Sequence, residues 1–121
     1  MKMPISEIID RYTITKLKSE RTTENVVEEL SCYEKEIESY GCDFSKYIDR
    51  MYEVNSIIWN LEGGIRRGDD IPLEEVGRLA IQVRDYNKKR NGIKAELIDK
   101  FAEGFKEIKV NYTKVNYGDR D

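Results

Sequence analysis

Apolar side chains recur every three or four residues along most of this chain, and this spacing limits the folds that it can adopt. The clearest case is a run with steps of four, three, four and three: Val26, Leu30, Tyr33, Ile37 and Tyr40. On a helix these steps form one stripe, whereas a strand requires strict alternation. The pattern predicts a helix over residues 23–40, ended by Gly41, which adopts a left-handed C′ conformation without strain.

The same spacing predicts a helix on each side of this one. The preceding helix, Ile5–Arg21, is apolar on two sides, so it needs two packing partners, one of which can be another chain. The following helix is expected to run from Phe44 through Leu61 as far as Ile65, with a cap from Asp43 or Ser45. The Gly63–Gly64 pair is expected to loosen its last turn.

A fourth helix is expected over Leu73–Phe101. Gly92 lies inside it, where glycine costs about 1 kcal/mol relative to alanine. This glycine predicts either a break in the helix or the close approach of another backbone or a ligand.

The periodicity changes near the C-terminus. Ile108, Val110 and Tyr112 alternate with polar residues, which is typical of a strand. A lone strand does not stabilise itself, so this segment must pair with a counterpart, pack on the helices or stay loose. The sequence therefore predicts an all-α fold, a small antiparallel helical bundle over residues 1–106, with an extended C-terminal arm over 107–121 and assembly into an oligomer.

The balance of charge narrows the function classes. The 121 residues include 21 Lys and Arg against 24 Asp and Glu, a formal net charge of −3. A duplex-DNA binder or a membrane-surface helix normally carries a basic excess, so we expect neither partner. The chain has no histidine, which removes the usual general base at neutral pH and most zinc sites. We expect no metal and no cofactor.

The two cysteines, Cys32 and Cys42, are too few for a tetrahedral zinc site or a disulfide scaffold. They are expected to be reduced thiols of a cytosolic protein. Because the N-terminal residues reach a carboxylate at Glu7, they do not form the apolar stretch of a signal peptide. We expect a cytoplasmic protein, in the host cytoplasm if a phage encodes it.

One segment of the fourth helix is strongly cationic. Residues 84–94 hold five cations and one carboxylate, a net of +4. Arginine offers a planar fork to phosphate, and asparagine offers an amide to a base edge. Either these cations pair with the acidic second helix, or they lack acidic neighbours in their own subunit and await an external anion. The residues that share one helical face or flank it are Arg84, Asn87, Lys88, Arg90, Asn91 and Lys94.

Aromatic residues are a second candidate group, because an aromatic ring can stack on a base. The only tryptophan, Trp59, follows Ile58 of the third apolar stripe, so burial is favoured over stacking for its ring. Tyr112 on the C-terminal arm is harder to explain as core and is a candidate stacking face.

Four blocks of the sequence together resemble an uncharacterised family of short helical proteins of bacteria and tailed phages. The resemblance spans most of the chain and departs at Gly63–Gly64, where that family prefers acidic helix formers. The blocks are Ile5–Ile14 with Lys16–Arg21, Asn55–Glu62 with Ile65–Arg66, Ala80–Asn87 with Arg90 and Lys94–Ile98, and Glu107–Tyr112.

Small helical, tyrosine-rich phage proteins of this kind also resemble the anti-CBASS sponges. Those are tetrameric proteins that sequester the cyclic dinucleotide signals of bacterial antiphage defence without cleaving them. The resemblance implies a non-enzymatic homo-oligomer, a tetramer, that binds a cyclic dinucleotide in a cavity between copies. The residues expected to bind are Arg84, Asn87, Arg90 and Asn91 for phosphates and base edges, Lys16 and Arg66 for additional positive charge, and Tyr112 for stacking.

Two alternatives remain open at this point. Helical proteins of this size include magnesium-dependent nucleotide pyrophosphatases, which hold the ion between carboxylates spaced three residues apart. The matching pairs here are Glu7 with Asp10 and Glu96 with Asp99, although the usual Glu-x-x-Glu is absent and a solvated face gives the same spacing. The third hypothesis is an adaptor whose C-terminal arm adds a strand to a partner protein.

Overall fold

The computed structural model describes residues 3–67 and 70–101. Four helices make up this part of the chain: α1 (Ile5–Arg21), α2 (Val27–Glu38), α3 (Ser45–Arg66) and α4 (Leu73–Phe101). The predicted all-α class is confirmed. Within the two described ranges there is no strand, and no helix is both long and apolar enough to cross a membrane. The predicted arm, with Tyr112, lies outside the described residues.

Helix α1 packs against all three other helices. Ile8 and Ile9 are buried on one side of it and Leu17 on the other. The sequence correctly predicts a helix that is apolar on two sides, and the described helices bury Ile8, Ile9 and Leu17 within one subunit. Ile14 is only half-buried, and the inference that another chain can pack on that side stays a prediction.

Helices α3 and α4 run in opposite directions. At the start of α3, Phe44 and Tyr47 contact Phe101 at the end of α4, with ring centroids 4.6 and 5.7 Å apart. At the other end, a Cβ added to Gly64 would lie 3.0 Å from Leu79 Cδ1. Gly64 therefore allows α4 to approach α3 closely, and α3 continues as a regular helix through both glycines to Arg66.

The fourth helix is unbroken at Gly92, so the predicted break is wrong. No described residue, apart from the chain neighbours of Gly92 and its own helix backbone, has an atom within 4 Å of a Cβ placed on Gly92. The approach of another backbone from the described part of the chain is therefore also wrong. The approach of a ligand to this residue stays a prediction.

Burial divides the described chain into two regions. We call residues 3–58 and 90–101 the base, and residues 59–67 and 70–89, the end of α3 and the start of α4, the tip. Every buried residue lies in the base, and none of the described tip residues is buried. The buried apolar residues of the main core are Ile5, Ile8, Ile9, Ile37, Phe44, Tyr47, Met51, Val54, Ile58, Ile93 and Leu97.

Candidate functional site

A buried carboxylate joins the three helices that meet at the base. Asp10 of α1 has 2% of its side chain exposed and accepts hydrogen bonds from Arg90 of α4, at 3.0 Å from Nε and 2.6 Å from Nη2. Lys94 Nζ lies 3.0 Å from the same carboxylate. From α3, Asn55 Nδ2 donates to Asp10 and to Thr13 Oγ1, each at 2.9 Å. We call these five residues the Asp10 cluster.

Burial and hydrogen bonding act in opposite directions on the pKa of Asp10. Burial alone raises the pKa, because it disfavours the charged form. The hydrogen bonds from Arg90, Asn55 and Lys94 outweigh burial and hold the pKa below its ordinary value of 3.8. Asp10 is therefore ionised at neutral pH and fixes the position of Arg90.

The structure corrects the expectation for the cationic segment of α4. Arg90 and Lys94 have acidic neighbours in their own subunit, because Asp10 pairs with both and Glu7 lies 3.1 Å from Lys94. The prediction that these two cations await an external anion is wrong. The alternative that α2 neutralises them is also wrong, since both carboxylates belong to α1.

Not every donor of Arg90 is used by the cluster. Nε and Nη2 bind Asp10, and Nη1 donates a longer bond of 3.4 Å to Asn87 Oδ1. The guanidinium has five N–H donors, so its outer Nη1–Nη2 edge retains capacity for another acceptor. The side chain is 27% exposed, which makes this edge accessible.

The other predicted binding residues are scattered. Arg84 is exposed and pairs with its neighbour Asp85 at 3.2 Å. Asn91 and Lys16 are exposed, and the side chain of neither makes an ion pair or a hydrogen bond with a residue of 3–67 or 70–101. Tyr112 lies outside the described residues.

Two of the predicted residues, Arg66 and Arg90, line the same groove. It encloses about 240 Å³ between α1, α3 and α4. The buried residues Leu17, Asn55 and Ile58 form its floor, whereas exposed Glu62 and Arg66 stand at its rim. We call it the Trp59 groove, after the half-buried indole among its lining residues, which are Ile14, Leu17, Asn55, Ile58, Trp59, Glu62, Arg66 and Arg90.

Sequence reasoning missed three contributors to this groove and its support. Trp59 was expected to be core but is half-buried and accessible from the groove. Asp10 lies on the side of α1 that bears Ile14 and Leu17. Asn55 follows buried Val54 in the sequence and precedes Ile57 and Ile58. The sequence signal that could have identified Asp10 and Asn55 is a charged or amide side chain within an apolar stripe, because such a group needs a hydrogen-bond partner when it is buried.

The carboxylate pairs considered for magnesium do not converge. Glu7 and Asp10 bind the cations of α4, as above, and Glu96 forms two hydrogen bonds of 2.7 Å with Arg50. Asp99 is exposed near the end of α4. Within the described ranges, no group of three or more acidic, cysteine or histidine side chains is placed to hold a metal ion.

The groove is lined by the indole of Trp59, by Arg90 of the Asp10 cluster, and by a carboxylate and a guanidinium at the rim. These groups suit a planar polar ring that also carries an anion. Comparisons of the chain with protein-family models, with curated proteins and with solved structures find no significant match.

Proposed function

We propose that this chain is a non-enzymatic binding protein that captures a cyclic dinucleotide and withholds it from its effector, as the similar phage sponges do. The observation that carries the proposal is the convergence of Trp59, Arg66 and Arg90 on one groove. Each of these groups has a counterpart in a nucleotide: an aromatic ring for the base, and guanidinium groups for a phosphate or for acceptor atoms of the base.

Trp59 is the platform for the base in this proposal. Its indole is half-buried against α3 and lines the groove beside the apolar side chains of Ile14 and Ile58. Stacking of a base on an aromatic side chain contributes about 1–3 kcal/mol and is available to any base.

Arg90 is the phosphate ligand in this proposal. Asp10 holds its guanidinium from one side, so the outer edge is already oriented when a ligand arrives. An arginine that is positioned in advance loses less conformational entropy on binding. Lys16 and Arg84, both exposed, would add to the positive field without direct contact in a single subunit.

The size of the groove favours a symmetric assembly. Pockets for drug-sized ligands enclose about 300–1,000 Å³, whereas this groove encloses about 240 Å³ and suits one nucleotide unit. A cyclic dinucleotide has two such units, so two copies related by a two-fold axis would each bind one half. The tip offers a surface for this contact, since Leu73 is 86% and Ile81 52% exposed.

Isothermal titration calorimetry with a panel of 3′,3′-linked cyclic dinucleotides, together with native mass spectrometry, tests the proposal. We expect saturable binding of one ligand per two chains to an even-numbered oligomer. Trp59→Leu should weaken binding at least about fivefold, since stacking is worth about 1–3 kcal/mol. Arg67→Ala is the matched control, because Arg67 adjoins Arg66 but does not line the groove.

The absence of heat and of a thermal shift across the whole panel would overturn the proposal. Recovery of a hydrolysed ligand would contradict sequestration. Release of pyrophosphate from nucleoside triphosphates with magnesium would instead support the alternative enzyme hypothesis.

A further inference from the structure

Two opposite charges stand unpaired at the rim of the Trp59 groove. Glu62 and Arg66 are one helical turn apart on α3, a spacing at which such residues commonly pair. Neither makes an ion pair or a side-chain hydrogen bond with any residue in 3–67 or 70–101. Both also line an adjoining cavity of about 400 Å³ with Ile65, Ala80 and Val83. Their charged groups are therefore available to a ligand from two sides.

Trp59, Glu62 and Arg66 lie on one face of α3. Their positions i, i+3 and i+7 place them in a row along the helix. At about 1.5 Å per residue, Glu62 is about 4.5 Å and Arg66 about 10 Å along the axis from Trp59. A planar ring stacked on Trp59 would therefore direct one continuous edge toward Glu62 and then Arg66.

We propose that Glu62 and Arg66 select guanine as the base in this groove. The inference rests on the proposed function. The edge of guanine presents two donors, N2–H and N1–H, followed by two acceptors, O6 and N7. A carboxylate accepts from the first pair, and an arginine fork donates to the second. The order of charge in the groove, negative and then positive, matches the order of groups along this edge.

Other bases match this arrangement less well. The corresponding edge of adenine presents the acceptor N1 where guanine has a donor, so a carboxylate would meet a lone pair. Its N6 amino group would then face the guanidinium, which has only donors. Cytosine and uracil lack the N7 acceptor altogether. Each mismatch leaves a charged group without a hydrogen-bond partner, and that loss is what creates selectivity.

The test compares 3′,3′-cyclic di-GMP with 3′,3′-cyclic di-AMP by calorimetry on the full chain. We expect cyclic di-GMP to bind at least about fivefold more tightly, because a bidentate contact to a base discriminates by about 1–3 kcal/mol. Glu62→Gln should reduce that preference severalfold, because a glutamine amide offers only one acceptor. Glu53→Gln is the matched control, since Glu53 is an exposed α3 carboxylate outside the groove.

The possible outcomes distinguish a failure of guanine selection from a failure of the proposed function. Equal affinity for both ligands would overturn guanine selection and leave sequestration intact. Binding of neither ligand, with binding of another member of the panel, would likewise overturn guanine selection alone, whereas an absence of binding across the whole panel would overturn both. Retention of the full preference by Glu62→Gln, with an unchanged thermal melt, would show that another group reads the base and would contradict the role given to Glu62.

Discussion

The base and the tip differ in how completely the chain covers its own apolar and charged groups. In the base, α1 lies among three helices, and the buried carboxylate of Asp10 has three side-chain partners. In the tip, Arg21 of α1 binds Asn60, but Leu73 and Ile81 remain exposed, and Glu62 and Arg66 are unpaired within the described residues. The base has the groups that hold the fold together, and the tip has those that remain available to a ligand or another copy.

The Trp59 groove lies at the boundary of the two regions. The base supplies its apolar floor and a fixed Arg90, whereas the tip supplies Trp59, Glu62 and Arg66. A binding site gains precision when its contacts are supported by a rigid scaffold. Of the five cations concentrated in residues 84–94, α1 neutralises two, Arg90 and Lys94, and only Arg90 lines the groove. The comparison teaches that a high density of positive charge along the sequence does not by itself identify the cations placed for binding.

The largest expected effect comes from removing the central carboxylate of the base. Asp10→Ala should lower the free energy of unfolding by about 3 kcal/mol, because it leaves Arg90 and Lys94 facing each other without their shared anion. Asp85→Ala in the tip should cost less than about 0.5 kcal/mol, since its pair with Arg84 is exposed. Urea denaturation measures both. Similar losses for the two variants would erase the proposed difference between the regions.

The pH dependence of stability sharpens the same comparison. The pKa of Asp10 in the native state is lower than its ordinary value of 3.8. At any pH above 3.8 the ionised carboxylate therefore stabilises the native state. This contribution is lost as the pH falls through the native pKa, when the carboxyl binds a proton. We expect the stability difference between the wild type and Asp10→Asn to be constant near neutral pH and to shrink below about pH 4.

Urea midpoints of both proteins between neutral and acidic pH measure this difference. The exposed carboxyls of Asp43 and Glu96 also have lowered pKa values, through hydrogen bonds from Ser45 and Arg50 respectively. Both groups are present in the two proteins, so their contributions cancel. If the stability difference between the two proteins grew as the pH fell, its pH dependence would be the opposite of the one expected. That result would contradict an ionised Asp10.

The helices were predictable because helical periodicity is a local property of the chain. The bounds of α1 match the prediction, and α3 begins one residue after the predicted Phe44 and ends one residue beyond Ile65. Helix α2 begins at Val27 rather than at about Thr23, because Thr22 Oγ1 and Asn25 Oδ1 accept hydrogen bonds from the backbone N–H groups of Glu24 and Val27. Such local side-chain bonds compete with helix formation, and apolar spacing does not reveal them.

The candidate site was only partly predictable, because it depends on which helices face one another. Counting charge along α4 identified Arg90 but not Asp10, which is 80 residues away in the chain. Arg66 was predicted to add to the field and does line the groove, whereas Arg84 lies outside its lining. Trp59 follows Ile58 in the chain, and only the packing of α1 against α3 decides which part of its ring is covered.

The smallest expected effect compares one glycine from each region. Gly92→Ala should stabilise the chain by about 1 kcal/mol, because alanine has a higher helix propensity than glycine. Apart from its chain neighbours and its own helix backbone, no described atom would lie within 4 Å of the new Cβ. Gly64→Ala gains the same helix preference, but its Cβ would lie 3.0 Å from Leu79 Cδ1, so Leu79 must shift. We therefore expect a smaller gain, or none, at Gly64. Thermal and urea denaturation of the two variants measure the difference, and an equal gain at both sites would mean that the tip repacks without cost.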